Sequence, residues 1–150
     1  MGQPSEAAAK VAQELKDKGQ LESADVAGYQ KKDPGKRMIV FTGNSDGSPL
    51  SSWCPDCERA LLPVLESAAS LGLPLLVVGI GERDDWKLDA RGSSHPFRAK
   101  DGLALTGVPT LLLTGENGGQ LARLGSELEN EQDIVVMRST IEAAIRAALA

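Results

Sequence analysis

Two cysteines placed between a strand and a helix constrain the fold of this chain more than any other feature. Residues 38–41 form a short apolar run of β-forming residues, which predicts a buried strand. The pattern around Cys54 and Cys57 predicts a helix over residues 55–71, and residues 75–79 predict a second buried strand. Strand, helix and strand at this spacing indicate a βαβ unit with parallel strands and a right-handed crossover.

The N-terminal part of the chain predicts a helix and a short strand. Residues 5–18 place their apolar side chains on one helical face, and residues 21–29 could hold a short strand. The chain has 150 residues, which is the usual length of one domain. We therefore expect a single domain over residues 1–150, in which 1–30 is a helical extension and 36–150 is the core.

The C-terminal part predicts the remainder of a sheet and a final helix. Residues 110–113 and 120–124 are short apolar runs around a glycine pair, which predicts an antiparallel hairpin. Apolar residues recur at helical spacing from Ile134 onwards, and Asn130 with Asp133 resembles a capping pair for that helix. The predicted fold class is α/β, with a central mixed β-sheet flanked by helices on both faces.

Charge and hydropathy argue against several classes of partner. The chain carries 16 basic and 21 acidic residues, a formal net charge of −5, which argues against a nucleic-acid-binding surface. The longest apolar run, residues 73–80, is too short to cross a membrane. The N-terminal region is acidic and lacks the apolar stretch of a signal peptide. We therefore expect a cytoplasmic monomer that binds neither nucleic acid nor membrane and keeps its cysteines in a reducing compartment.

The spacing of the two cysteines favours thiol chemistry. Pro55 suits the first turn of a helix, where its missing N–H has no partner to lose. Cys54 then lies at the helix N-terminus, where free N–H groups and the helix dipole stabilise a thiolate. Cys57 follows one helical turn later on the same face, from which it can resolve a mixed disulfide. This pattern predicts Cys54 as the nucleophile and Cys57 as the resolving thiol.

A metal site and an inert pair are the alternatives to redox chemistry. Zinc usually takes four ligands. The chain offers two thiols and His95, and Asp46 or Asp56 would have to complete the set. No second pair of closely spaced cysteines exists in the sequence. We therefore expect no metal and no bound cofactor.

A proline at the head of an apolar strand is the second notable feature. Pro109 precedes the strand predicted over residues 110–113 and removes a donor from its hydrogen-bond ladder. A cis Val108–Pro109 bond would explain its presence, since cis X-Pro bonds mark tight and specific geometry. An ordinary trans proline at a strand start remains the alternative reading of this position.

Several segments together resemble a known family. They are Phe41-Thr42-Gly43, Ser52-Trp53-Cys54-Pro55-Asp56-Cys57, Val78-Gly79, Trp86-Lys87, Pro96-Phe97-Arg98, Gly107-Val108-Pro109-Thr110-Leu111-Leu112 and Arg123-Leu124. The chain resembles the thioredoxin superfamily and, more narrowly, the WCPDC-type thioredoxin-related proteins, the thioredoxin domain-containing protein 17 family. The resemblance covers roughly residues 36–130.

The resemblance implies a fold, a reaction and partners. It implies a thioredoxin-like fold, a reversible Cys54–Cys57 disulfide as the redox centre, and a cis Pro109 packed against it. It also implies cytosolic protein-disulfide reductase activity, electrons from a thioredoxin reductase, and a modest peroxidase activity. The backbone of Val108 would pair with a substrate strand beside the dithiol.

Two further residues of the motif have hypothetical roles. Ordinary thioredoxins resemble one another in a buried aspartate on the central strand, and residues 38–41 carry none. We hypothesise that Asp56 handles the Cys57 proton instead and raises the pKa of Cys54 by like-charge repulsion. Trp53 is expected at the lip of the site. The predicted substrate-binding residues are Trp53, Pro55, Val108 and Pro109.

Three functional hypotheses follow from these observations. The leading one is a thiol–disulfide oxidoreductase that reduces small or exposed disulfides. An oxidant or isomerase would differ from it only in reduction potential. A redox-gated binding module of the same fold would form redox-dependent complexes without significant turnover.

Overall fold

The structure is a computed structural model, and it describes residues 6–30, 35–43, 52–82, 86, 97 and 104–150. Asp46 and His95, the candidate additional metal ligands, lie outside the described residues. The described elements are α1 (Glu6–Asp17), β1 (Leu21–Ala24), α2 (Val26–Gln30), β2 (Arg37–Thr42), α3 (Pro55–Leu71), β3 (Leu75–Gly79), β4 (Thr110–Thr114), β5 (Gln120–Leu124), α4 (Ser126–Asn130) and α5 (Ile134–Leu149).

The five strands form one mixed sheet in the order β1-β3-β2-β4-β5. Strand β3 runs parallel to both β1 and β2, with Phe41 opposite Val78. Strand β4 runs antiparallel to β2 and to β5, with Val40 opposite Leu111. The βαβ unit formed by β2, α3 and β3 and the hairpin of β4 and β5 are therefore confirmed.

One face of the sheet is covered by α1, α3 and α5. Inward-facing residues of the strands, such as Val40, Val77 and Leu111, pack against apolar positions of these three helices. Burial of such an aliphatic layer supplies most of the favourable free energy of folding. The helical residues in this layer are Ala8, Ala12, Leu15, Ala60, Leu61, Val64, Leu65, Ala68, Met137, Ile141 and Ile145, together with Leu128 of α4.

The opposite face of the sheet carries the aromatic residues and the two cysteines. Tyr29 of α2, Phe41 of β2 and Phe97 form a cluster of edge-to-face rings whose centroids lie 5.3–5.6 Å apart. Edge-to-face contacts between aromatic rings stabilise the folded state beyond the contribution of the apolar area that they bury. Cys54 and Cys57 belong to this same apolar cluster. Apolar side chains therefore cover both faces of the sheet, as the α/β prediction required.

Helix α3 has clear start and stop signals. Cys54 is its N-cap and Pro55 occupies its first turn. The helix continues through Pro63 and ends at Gly72, whose φ of 66° is the left-handed conformation that glycine adopts readily. In the described parts of the chain, no helix is both long and apolar enough to cross a membrane.

Two short helices were not predicted, and one predicted cap is wrong. Helix α2 follows β1 within the region read only as a possible strand, and α4 follows β5. Asn130 ends α4, while Asp133 alone caps α5 by accepting hydrogen bonds from the N–H groups of Val135 and Val136. The expected pairing of Asn130 with Asp133 fails because Asn130 belongs to the preceding helix.

Candidate active site

The sulfur of Cys54 lies at the N-terminus of α3. The residue is in an extended conformation, with φ of −104° and ψ of 110°, and its Sγ accepts a 3.2 Å hydrogen bond from the backbone N–H of Cys57. The N–H of Cys54 in turn donates to Oγ of the buried Ser52 at 3.0 Å. The sulfur therefore occupies the position of a capping side chain, where the helix dipole favours negative charge.

The pKa values of the two thiols are shifted in opposite directions. A side-chain hydrogen bond from Cys57 lowers the pKa of Cys54, and its backbone N–H acts in the same direction, whereas burial and the charge of Asp56 oppose them. Burial raises the pKa of Cys57 strongly, and its hydrogen bond to Cys54 and the proximity of that sulfur raise it further. Cys54 is therefore the thiol that ionises first, while Cys57 keeps its proton and donates it in a hydrogen bond.

The turn before β4 lies against the same sulfur. The Cys54 thiol donates a 3.7 Å hydrogen bond to the carbonyl oxygen of Val108. The Val108–Pro109 peptide bond is cis, as the family resemblance implied. The hydroxyl of Thr110 donates to the carbonyl oxygen of Gly107 at 2.7 Å, which closes this turn. The topology thus brings together two sequence features that lie 54 residues apart.

Trp53 is fixed beside the dithiol by two contacts. Its indole N–H donates a 2.8 Å hydrogen bond to the carbonyl oxygen of Gly81. Its ring also lies so close to Gly43 that a Cβ there would approach two ring carbons to 2.5 Å. Trp53 is half-buried, which suits its expected place at the lip of the site. Pro55 is exposed and Pro109 is buried, so the predicted substrate-binding residues differ in accessibility.

Asp56 pairs with a neighbour on its own helix. Its Oδ1 lies 2.7 Å from Nη2 of Arg59, and 43% of its side chain is exposed. Its negative charge acts on the pKa of Cys54 in the predicted direction. Its hypothetical role as the proton acceptor of Cys57 stays a prediction.

Arg59 and Glu129 are site-adjacent residues that the sequence reading missed. Arg59 donates to the carbonyl oxygens of Glu129 and Glu131, at 3.0 and 2.9 Å. The Glu129 carboxylate lies against Gly107, and burial together with the charge of Asp56 raises its pKa. The spacing of Asp56 and Arg59, three residues apart on a helix, was a readable signal for their ion pair.

The described residues do not form a metal site. Among them, no group of three or more histidine, cysteine, aspartate or glutamate side chains is arranged to hold a metal ion. Both cysteines are present as free thiols, with 7% of Cys54 and 4% of Cys57 exposed. The arrangement can therefore support dithiol chemistry with the protein's own side chains.

Comparison with known proteins identifies related chains. Residues 11–139 match the model of the thioredoxin domain-containing protein 17-like thioredoxin domain. The rice thioredoxin-like protein Clot is 36% identical over 109 residues, which is 67% of this chain and 75% of the relative. The Arabidopsis thaliana thioredoxin-like protein Clot is 34% identical over 77 residues, 50% of this chain and 54% of the relative. Human thioredoxin domain-containing protein 17 is 36% identical over 84 residues, 54% of this chain and 63% of the relative.

Proposed function

Because this chain belongs to the thioredoxin domain-containing protein 17-like family of thioredoxin domains, we propose that it is a protein-disulfide reductase. The reaction centre would be the Cys54–Cys57 dithiol, which cycles between a reduced and a disulfide form. We place the enzyme in the cytoplasm as a monomer and assign it no metal and no bound cofactor. Its electron donor would be a thioredoxin reductase.

The observation that carries this proposal is the unequal environment of the two sulfurs. Cys54 caps α3 and accepts the N–H of Cys57, which stabilises a thiolate, while the more deeply buried Cys57 holds its proton. A thiol that attacks disulfides at neutral pH needs this thiolate character, and the second thiol must stay protonated until the first has reacted.

The reaction then follows two exchange steps. The Cys54 thiolate attacks one sulfur of a substrate disulfide, a mixed disulfide forms, and the first substrate thiolate leaves and takes up a proton from solvent. Cys57 next loses its proton and attacks Sγ of Cys54, which releases the second substrate thiolate. The substrate gains two electrons, and the protein is left with a Cys54–Cys57 disulfide. Two electrons and two protons from the reductase restore the dithiol.

The accessibility of the attacking sulfur supports a restricted range of substrates. Only 7% of Cys54 is exposed, and Trp53 packs against the apolar cluster that contains it. A sulfur so enclosed reacts most readily with small disulfides or with disulfides that protrude from a protein surface. A peroxide is a further small oxidant, which the same dithiol would reduce to an alcohol and water. The backbone of Val108 would align an extended substrate, and Trp53, Pro55 and Pro109 would border it.

Two measurements test this proposal together: the midpoint potential of the Cys54/Cys57 couple and the turnover of a disulfide substrate. The protein is equilibrated in thiol redox buffers, alkylated and analysed by mass. A value at or below about −230 mV, with repeated turnover of a small disulfide by thioredoxin reductase and NADPH, is the expected result. A value above about −180 mV would assign the protein to the oxidants and isomerases. A redox-gated binding module would instead show tight, redox-dependent complexes and no repeated turnover.

A further inference from the structure

Arg59 occupies a junction between the dithiol helix and the segment around α4. Its guanidinium bonds the Asp56 carboxylate at 2.7 Å and two backbone carbonyls, those of Glu129 and Glu131. Only 20% of the Arg59 side chain is exposed. A planar guanidinium with several donors can satisfy all of these acceptors at once. The orientation of the guanidinium is therefore fixed by Asp56 on α3 and by the backbone carbonyls at the end of α4.

The carboxylate that Arg59 holds lies between the two cysteines in sequence. Asp56 is half-exposed, and its charge opposes ionisation of Cys54. A second carboxylate, that of Glu129, lies close enough for Asp56 to raise its pKa. Within the described part of the site, Arg59 pairs with the carboxylate of Asp56 and contacts Glu129 through its backbone carbonyl oxygen. Without it, the negative charge of Asp56 would act on the Cys54 thiolate without the guanidinium that pairs with it.

We propose that Arg59 is a positioning residue of the dithiol, which pairs with Asp56 and so shields the Cys54 thiolate from the carboxylate next to it. The guanidinium acts through Asp56 rather than on the sulfur, since its contacts are to that carboxylate and to the backbone after α4. The inference rests on the proposed function only in taking Cys54 as the attacking thiol. The ionisation of that thiol can be measured whether or not the protein reduces disulfides.

The test is the pKa of Cys54 in reduced, full-length variants, measured from thiolate absorbance near 240 nm and from the pH dependence of alkylation. Arg59→Gln removes the charge and keeps a side chain that can donate to a carbonyl. We expect the pKa to rise by about half a unit, which is about a threefold loss of thiolate at pH values well below it. In an Asp56→Asn background, the same substitution should leave the pKa unchanged, because the charge that Arg59 shields is gone.

Arg138→Gln is the matched control. Arg138 of α5 pairs with Glu142 on its own helix at 2.7 Å and with Glu66 of α3 at 3.5 Å, so its replacement removes one positive charge and the ion pairs that it makes. We expect no change in the Cys54 pKa for this variant. A similar rise in Arg138→Gln would show a general charge effect and would overturn the proposal.

Three other results would also overturn it. The first is an unchanged Cys54 pKa in folded Arg59→Gln. The second is a rise of the Cys54 pKa on Arg59→Gln that is equal in the parent and in the Asp56→Asn background. The third is a rise of the Cys54 pKa by half a unit in Arg59→Lys, which retains the charge. If Arg59→Gln does not fold, Arg59→Met takes its place, because it also lacks the charge, and an unchanged Cys54 pKa in that variant overturns the proposal. The protein could fail to turn over disulfides while Arg59→Gln still raises the Cys54 pKa only when Asp56 is present. That result would reject the proposed function and leave the role of Arg59 standing.

Discussion

The backbone N–H of Cys57 donates a 3.2 Å hydrogen bond to the sulfur of Cys54. The bond exists because Cys54 takes the N-cap position and Cys57 lies in the first turn, where N–H groups have no partner within the helix. It stabilises charge on the sulfur of Cys54, while Cys57 is buried. The motif thus makes the two cysteines chemically unequal before any substrate binds.

The raised pKa of Cys57 predicts how the stability of the reduced protein depends on pH. The folded pKa lies above the unfolded one, so the contribution of Cys57 is complete below the unfolded pKa and is lost as the pH rises through the folded pKa. Above about pH 9 the unfolded chain has released this proton and the folded protein has not. The free energy of unfolding should fall by about 1.4 kcal/mol per pH unit from this group.

Chemical denaturation of the reduced parent and of Cys57→Ser between pH 8 and pH 10.5 measures this effect. The lowered pKa of Cys54 acts in the opposite direction, but only below the unfolded value, so it does not contribute to the slope above pH 9. The parent should lose stability more steeply than Cys57→Ser above pH 9. Parallel curves would show that Cys57 ionises as easily in the folded protein as in the unfolded one.

Replacement of the resolving thiol should trap the first exchange step. In Cys57→Ser, the Cys54 thiolate can still attack a disulfide, but no second thiol can release the product. With a chromogenic aromatic disulfide, we expect release of about one equivalent of thiol and a stable adduct on Cys54, against about two equivalents from the parent. Mass analysis after digestion locates the adduct.

Cys54→Ser is the control for this trapping experiment. The remaining Cys57 is 4% exposed and its pKa is raised, so little adduct should form at pH 7. Rapid and complete labelling of Cys57 in Cys54→Ser would reverse the assignment of nucleophile and resolving thiol.

Much of the fold could be predicted because its signals are local. The limits of α3, β3 and β5 match the predicted ones, since each is an apolar run or helical pattern with a clear boundary. The helices α2 and α4 have five residues each, which is too short for a helical period to show in the sequence. Five residues are enough for an apolar run that indicates a buried strand, as in β3, but they do not show the period of a helix.

In the candidate site, too, the features with a local sequence signal were predicted and the others were not. The positions of Cys54 and Cys57 at the start of a helix were predicted, because a proline and a dithiol spacing carry that information. The contacts of Arg59 with the carbonyls of Glu129 and Glu131 join residues about 70 positions apart. Backbone acceptors of this kind have no sequence signature, so only the folded chain reveals them.

Neutralising Asp56 tests two roles of that side chain. Asp56→Asn removes a charge that opposes ionisation of Cys54, so the pKa of Cys54 should fall. If Asp56 also accepts the proton of Cys57, the second exchange step should slow severalfold, because proton removal from the buried thiol loses its acceptor. Stopped-flow measurement separates the two steps. Unchanged thiol pKa values and unchanged rates of both steps would reject both roles.

The contact between Gly43 and Trp53 predicts a sensitive position at the end of β2. Gly43→Ala would place a Cβ about 2.5 Å from the indole ring, so the ring must move or the backbone must shift. Overpacking of this kind typically lowers the free energy of unfolding by about 1–3 kcal/mol. The indole hydrogen bond to Gly81 should weaken as the ring moves, which alters the Trp53 surface beside Cys54.

Gly35→Ala is the matched control, because a Cβ at Gly35 meets nothing within 4 Å. Denaturation and tryptophan fluorescence should change in Gly43→Ala and stay close to the parent in Gly35→Ala. The rate of adduct formation at Cys54 should also change in Gly43→Ala alone, since Trp53 borders the path to that sulfur. Equal stability and equal reactivity of both variants would show that Trp53 neither depends on Gly43 for its position nor shapes access to the dithiol.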